Sequence, residues 1–235
     1  IELEEINYAN PAKDEFIEDD TTWVETDENK KKWDKALKEE DIDQLYTLIK
    51  KGAPYVKINH HWGPLCIAAF CSRYDVIKTI IDRHTMSDPN PEIQNAFRRQ
   101  GVEALYQTCE SNCGPIAEIL LQAQVPVIAS VHLHNAAQHG SWVVLDAIFN
   151  QHPDIDVDTE DQKKDTPLHI AAKHSYLPTI RYLLDKKADP NKKNELGQSA
   201  LHLACINSGE DVIQLLVTRG ANVNQLDDEG RVPAY

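Results

Sequence analysis

The chain has 235 residues, 41% of them hydrophobic, and a net charge of −14. That length buries a substantial core, as one elongated domain or as two compact ones. No apolar run nears the roughly 20 residues needed to cross a bilayer, and an acidic chain without a basic stripe argues against nucleic acid as a partner.

In chain order the first element is acidic. Residues 1–29 hold eleven carboxylate side chains against Lys13 alone, a balance of −10 that leaves −4 for the rest. Such a charge run reads as a solvated tail. Tyr8, Phe16, Ile17 and Trp23 also equip it to pack on the following domain, as a cap or an autoinhibitor, or on a partner. From residue 30 to 235 the chain then repeats. The first unit is marked by Trp33, Ala36-Leu37, Leu45, Leu48-Ile49 and Gly52-Ala53. The second is Gly63-Pro64-Leu65-Cys66-Ile67-Ala68-Ala69 with Ile77, Ile80 and Ile81. A worn third surrounds Ala104-Leu105-Tyr106-Gln107-Thr108-Cys109 and Leu120-Leu121, and a fourth carries Leu133-His134-Asn135-Ala136-Ala137. In the fifth, Thr166-Pro167-Leu168-His169-Ile170-Ala171-Ala172 meets Ser199-Ala200-Leu201-His202-Leu203-Ala204-Cys205 of the sixth at a shift of 33. At the same shift Ile180 meets Ile213, Leu183 meets Leu216, Asn191 meets Asn224 and Gly197 meets Gly230. An unbroken register over a whole unit is the signature of an array.

Counted at the proline of that motif, the units fall at 32, 64, 104, 132, 167, 200 and 233, giving six and the start of a seventh. Because the chain begins at Ile1 and stops inside a unit at Tyr235, it is expected to be a fragment or a processed form of a longer protein. The spacing of 40 after the second unit predicts an irregular finger within 88–101, containing Pro89, Pro91, Phe97, Arg98 and Arg99. The next spacing, 28, predicts a shortened one filled by Val125-Pro126-Val127.

The Thr-Pro-Leu-His-Ile-Ala-Ala stretch, the Ile/Leu-Leu helix after it and the endings Lys187-Ala188-Asp189-Pro190-Asn191 and Gly220-Ala221-Asn222-Val223-Asn224 resemble the ankyrin repeat. The resemblance implies an all-α fold, an ankyrin-repeat solenoid of helix-turn-helix units with short β-hairpin loops. Thr166 can cap the first helix of its unit and Pro167 suits its first turn. Ala171-Ala172 let helices approach closely, and Gly220 fits the left-handed position past a helix end. The resemblance gives His169 and His202 a structural role, hydrogen-bonded to the threonine region and the adjacent hairpin. It also implies a non-catalytic module that binds a protein or peptide partner through its concave groove and hairpin loops, monomeric by itself and without a cofactor. The alternative is a regulatory or substrate-docking domain of a larger enzyme, ion channel or bacterial effector.

Candidate partner residues follow from the same alignment. The residues just after each Ala-Ala position face the groove; among them Phe70, His139, Lys173, His174, Ile206 and Asn207 are singled out, Phe70 and Ile206 because they are apolar at a solvated place. Tyr55 and Trp62 are added as aromatic anchors near the Asn59-His60-His61 tip, and Arg98 and Arg99 as charges for an acidic partner or the chain's own tail. Asn191 and Asn224 sit where the family carries an asparagine open to hydroxylation, although an asparagine that stabilises the turn suffices there. Cys109, Cys113, His132 and His134 lack the tight paired spacing of a structural zinc site, so no metal is expected. The five cysteines (66, 71, 109, 113 and 205) are odd in number and sparse, and no Asn-x-Ser/Thr sequon occurs. They read as reduced thiols of an intracellular protein, cytoplasmic or nuclear.

Overall fold

The computed structural model describes residues 26–55, 62–87, 90–207 and 210–233. The acidic residues before Thr26, the Asn59-His60-His61 tip and Ala234-Tyr235 therefore lie outside the described residues. Among the described residues twelve helices form six successive pairs: α1 (Asp27–Glu39) with α2 (Ile42–Lys50), α3 (Pro64–Phe70) with α4 (Tyr74–Ser87), and α5 (Pro91–Ser111) with α6 (Gly114–Gln122). They continue as α7 (Ala129–Gln138) with α8 (Trp142–Gln151), α9 (Pro167–Lys173) with α10 (Leu177–Asp185), and α11 (Ala200–Asn207) with α12 (Glu210–Thr218). The helices α3, α5, α7, α9 and α11 pack side by side in an inner row, and the even-numbered helices form an outer row. Among the described residues no strand forms, and the loops between units are tight turns.

Local chemistry sets these boundaries. Thr26 caps α1 by accepting from the Asn29 N–H at 3.2 Å, so the first helix starts at Asp27 and takes in the end of the segment read as a tail. Every described turn that ends a helix of the inner row, and four that end outer helices, holds one residue in the left-handed region. Glu40, Ser72, Asn112, Gly140 and Ser175 serve the first kind; Gly52, Gln124, Lys187 and Gly220 serve the second. The next N–H then reaches back five residues, as from Arg73 to the Ala68 carbonyl at 2.8 Å and from Ala188 to that of Leu183 at 3.0 Å. This closure ties up helix-end carbonyls that would otherwise be unpaired.

Between the rows lies one apolar core. Leu65, Leu105, Leu133, Leu168 and Leu201 come from the inner helices, and Ile77, Leu120, Leu145, Leu183 and Leu216 from the outer ones; all are buried. Each contributes roughly 1.5–3 kcal/mol of burial. The alanines predicted to allow close approach, Ala68-Ala69, Ala136-Ala137 and Ala171-Ala172, are fully inaccessible.

The third unit departs from expectation. Residues 91–111 are a single 21-residue helix, so the region predicted as an irregular finger is an N-terminal extension of α5. The Asn90 side chain accepts from the Glu92 N–H at 2.9 Å and Pro91 occupies the first turn, which starts a helix three turns before the motif begins. Phe97 is buried in that extension and stacks on His84 of α4 at 3.7 Å between ring centroids. Gly101 continues the helix where Val125 crosses it: a Cβ there would lie 2.6 Å from a Val125 methyl.

Two sets of side chains lock the units from the fourth onward to the next. His134 Nε2 meets the Asp165 carbonyl at 2.7 Å, His169 Nε2 that of Gln198 at 3.0 Å, and His202 Nε2 that of Arg231 at 3.2 Å. In the fifth unit His169 Nδ1 accepts from the Thr166 N–H at 3.1 Å, and the His169 N–H donates to Thr166 Oγ1 at 3.4 Å. Both ring nitrogens are thus engaged, and the geometry requires the neutral tautomer with its hydrogen on Nε2. The second set sits at the turns after the outer helices. Asp158 accepts from the Asp189 N–H at 3.1 Å, and one repeat later Asn191 Oδ1 accepts from the Asn222 N–H at 2.7 Å while its Nδ2 donates to the Gly220 carbonyl at 3.0 Å.

Burial holds the His169 imidazole below its ordinary pKa of 6.5, so below that pH the unfolded chain takes up a proton that the folded chain resists. Stability from the neutral ring is complete above 6.5 and declines as the pH falls toward the folded value. His169→Ala should therefore cost about 1–3 kcal/mol in urea unfolding at neutral pH, and its gap to wild type should shrink below pH 6.5; a gap constant with pH would contradict this. Asn191→Ala should cost about 1–2 kcal/mol, whereas Asn224→Ala, whose exposed side chain bridges no neighbour among the described residues, should stay within about 0.5 kcal/mol. Equal losses at the two positions would count against the bridge.

Candidate partner-binding face

The exposed ends of the inner helices form the candidate site. Phe70 closes α3 and Ile206 lies near the end of α11, at 54% and 66% exposure, whereas the apolar residues one turn earlier are buried or half-buried. Lys173 and His174 are exposed at the end of α9, with the His174 ring 6.0 Å from that of Tyr176. His139 follows α7, half-buried, its Nδ1 hydrogen-bonded to the Asn135 carbonyl at 3.1 Å. Asn207 closes α11, and its side chain lies outside the described residues.

Of the two aromatic anchors read from the sequence, Tyr55 needs correction. Tyr55 is only 6% exposed: the Arg83 guanidinium covers its ring at 5.1 Å, and its hydroxyl lies 3.4 Å from His84 Nδ1. Arg83 is in turn held by the carbonyls of Ile49 and Ala53 at 2.9 and 2.7 Å, so Tyr55 belongs to the packing between the first two units. Trp62 is half-buried against the core and meets Phe70 edge-on, with centroids 6.3 Å apart at 62°. It supports Phe70 rather than standing free. Arg98 and Arg99 are exposed, but on the α5 helix and not on a finger.

Helical register divides that pair of arginines. Residues 99, 103, 106 and 110 share one face of α5, while Arg98 is turned about 100° from it. The flanks of the helix are taken, by α3 through Cys66 Sγ to the Gln100 carbonyl at 3.3 Å and by α7 through Asn135 Nδ2 to the Tyr106 carbonyl at 3.0 Å. The face left between them carries Arg99, Glu103, Tyr106 and Glu110. Tyr106 is half-buried, and its hydroxyl pKa is raised by burial and then by Glu110 and Glu103. The reading from sequence names Arg99 but passes over Glu103 and Tyr106, which sit in the most worn unit.

The finger ends have a regular skeleton that was also missed. Asp161, Asn194 and Asp227 stand one repeat apart, and each turns a carboxylate or amide oxygen onto two N–H groups of its own turn. The partners are Lys163 and Asp165 at 2.8 and 2.9 Å, Leu196 and Gln198 at 3.0 Å each, and Glu229 and Arg231 at 3.0 and 2.8 Å. Successive fingers then join backbone to backbone, Glu195 N–H to the Lys163 carbonyl at 2.9 Å and Asp228 N–H to that of Leu196 at 3.1 Å. Gly197 fits here at φ 71° because a Cβ would lie 2.7 Å from the Asp228 nitrogen. The signal, Asp/Asn recurring at 33, was present in the sequence.

The cysteines and histidines weighed for metal serve packing. Cys66 and Cys109 are buried, and burial pushes both thiols up to about 12. Cys109 Sγ donates to the His132 carbonyl at 3.7 Å, and Ser141 Oγ donates to the Cys109 carbonyl. His132 Nδ1 accepts from the Ile128 N–H at 2.9 Å, and its Nε2 lies 3.0 Å from the Val102 carbonyl. Among the described residues no group of three His, Cys, Asp or Glu side chains is placed to hold a metal ion, and no helix is long and apolar enough to cross a membrane.

Comparison with known proteins agrees with this architecture. The family pattern of ankyrin repeats, in three copies, matches residues 133–227. An ankyrin repeat-containing protein of Saccharomyces cerevisiae is 27% identical over 59% of this chain and 86% of its own length. The ankyrin repeat domain-containing protein M-T5 of Myxoma virus is 36% identical over 76% of this chain, and human B-cell lymphoma 3 protein 38% identical over 32% of it. The chain spans only 31% and 17% of the length of these last two. With its units of 33, its paired helices and its interlocked turns, the chain is an ankyrin repeat protein.

Proposed function

We propose that this chain is a non-catalytic module that holds a protein or peptide partner along its inner face and finger ends. The observation that carries the reading is the exposure of Phe70 and Ile206 at positions that other units fill with polar residues, on a scaffold whose other large apolar groups of the inner row are mostly buried. An apolar side chain kept at a solvated place is a usual mark of an interface. Three buried side chains of types suited to catalysis are otherwise occupied. His169 is hydrogen-bonded at both ring nitrogens, and Cys66 and Cys109 are held as neutral thiols, so none offers a free base or nucleophile. The buried free cysteines favour a reducing cellular compartment, the cytoplasm or nucleus.

A second reading, a docking or regulatory domain within a larger protein, is favoured by one observation: the chain spans less than a third of the viral relative it matches over 76% of its own length. The two readings use the same face and differ in what lies beyond it.

A captured partner tests the face. Phe70→Ala/Lys173→Ala/Ile206→Ala should weaken capture about tenfold or more and leave the urea midpoint unchanged, because all three side chains are exposed. The outer-row variant Glu118→Ala/Arg181→Ala/Asp211→Ala should bind as wild type does. Loss of binding in the outer-row variant alone would place the interface elsewhere.

A further inference from the structure

We propose that the segment held on the inner face is cationic, a peptide whose apolar anchor rests on Phe70 and whose lysine or arginine side chains pair with Glu103 and Glu110. This rests on the proposed use of the inner face and adds the chemistry of what occupies it.

Phe70 presents an exposed ring braced by Trp62. Carboxylates lie on the elements packed to either side of α3. On α5, packed directly beside α3, Glu103 and Glu110 lie on the open face one turn to either side of Tyr106. Both charges reach Tyr106, and Glu103 also acts across the helix boundary on Cys66 of α3. On the opposite side of Phe70, Glu40 and Asp43 act on the adjoining Cys71, which is exposed. Asp43 is neutralised by Arg73. Among the described residues no ion pair involves Glu40, Glu103 or Glu110, although Glu103 accepts a hydrogen bond from Gln107 Nε2 at 3.1 Å.

Of the nearby cations, Arg73 pairs with Asp43 and Asp75, and Lys38 ends α1 beside Glu39 and Glu40. Arg99 is a full turn beyond Glu103, toward the finger end, and Lys173 belongs to α9, two helices along the inner row. An aromatic ring with carboxylates on both flanks suits a lysine or arginine, whose stem packs on the ring while the head group pairs with the acids. An acidic segment would meet like charges there, a cost that selects against it.

Fluorescence anisotropy with three series of labelled peptides tests this. All share a central Leu-Phe anchor, flanked by lysine and arginine in one series, by serine in the second and by glutamate in the third. The basic series should bind best, and Phe70→Ala and Glu103→Gln/Glu110→Gln should each weaken it about tenfold. Glu118→Gln/Asp211→Asn, which makes the same change in net charge on the outer row, should alter affinity by about twofold at most. Thermal unfolding checks that each variant is folded. Basic peptides that bind both carboxylate variants equally would be responding to net charge alone, and that overturns the proposal. Tighter binding of the serine or glutamate series, still sensitive to Phe70→Ala, overturns the cationic chemistry and leaves the inner face standing. Binding by no series, or binding indifferent to Phe70→Ala, overturns the proposal together with the inner-face reading.

Discussion

No helix pair in this chain can hide its own apolar flanks. Leu168, Ala171 and Ala172 of α9 are inaccessible only because α7 lies on one side and α11 on the other, and α5 and α7 are likewise flanked by inner helices on both sides. Stability is therefore a property of neighbours, close to a sum of terms between adjacent units. That arrangement demands that each unit repeat its geometry closely. A left-handed residue at each turn sets the angle between helices, and the histidine and Asp158/Asn191 bridges fix the spacing of loops that the core alone would not reach.

The same constraint shapes the face left over. Side chains at the ends of the inner helices are not needed to bury the core, so their chemistry is free to vary from unit to unit. It does vary: a phenylalanine, a glutamate, a glutamine, a lysine and an isoleucine follow one another along the row. Because the last three fingers are joined backbone to backbone, the C-terminal part of this face is held before any partner arrives. Little ordering is then left to be done on association, which is the main route to affinity on an interface of modest size. The extended α5 breaks the regularity where Phe70 and Trp62 meet, and replaces a finger by a rigid rod beside them.

Much of this was legible in the sequence, because apolar residues at a fixed shift of 33 report stacking directly. The helix pairs, the alanine contacts and the structural part played by His169 all follow from that register. What escaped has physical reasons. Spacing counts residues and not conformations, so residues 88–101 read as a finger although Asn90-Pro91 starts a helix with no breaker before Gly101. Tyr55 read as a surface anchor because its burial depends on Arg83 and His84, nearly a repeat away. The finger skeleton of Asp161, Asn194 and Asp227 is polar, and a search keyed on apolar residues passes over it.

Native-state hydrogen exchange at the bridging amides tests the central claim of interlocked units most directly. The N–H groups of Asp189, Glu195, Asn222 and Asp228, each bonded to the unit before, should exchange as slowly as amides inside α9 and α10. Exchange at the rate of open loops, with the helices still protected, would show that the fingers hang free and that the face is not held in advance.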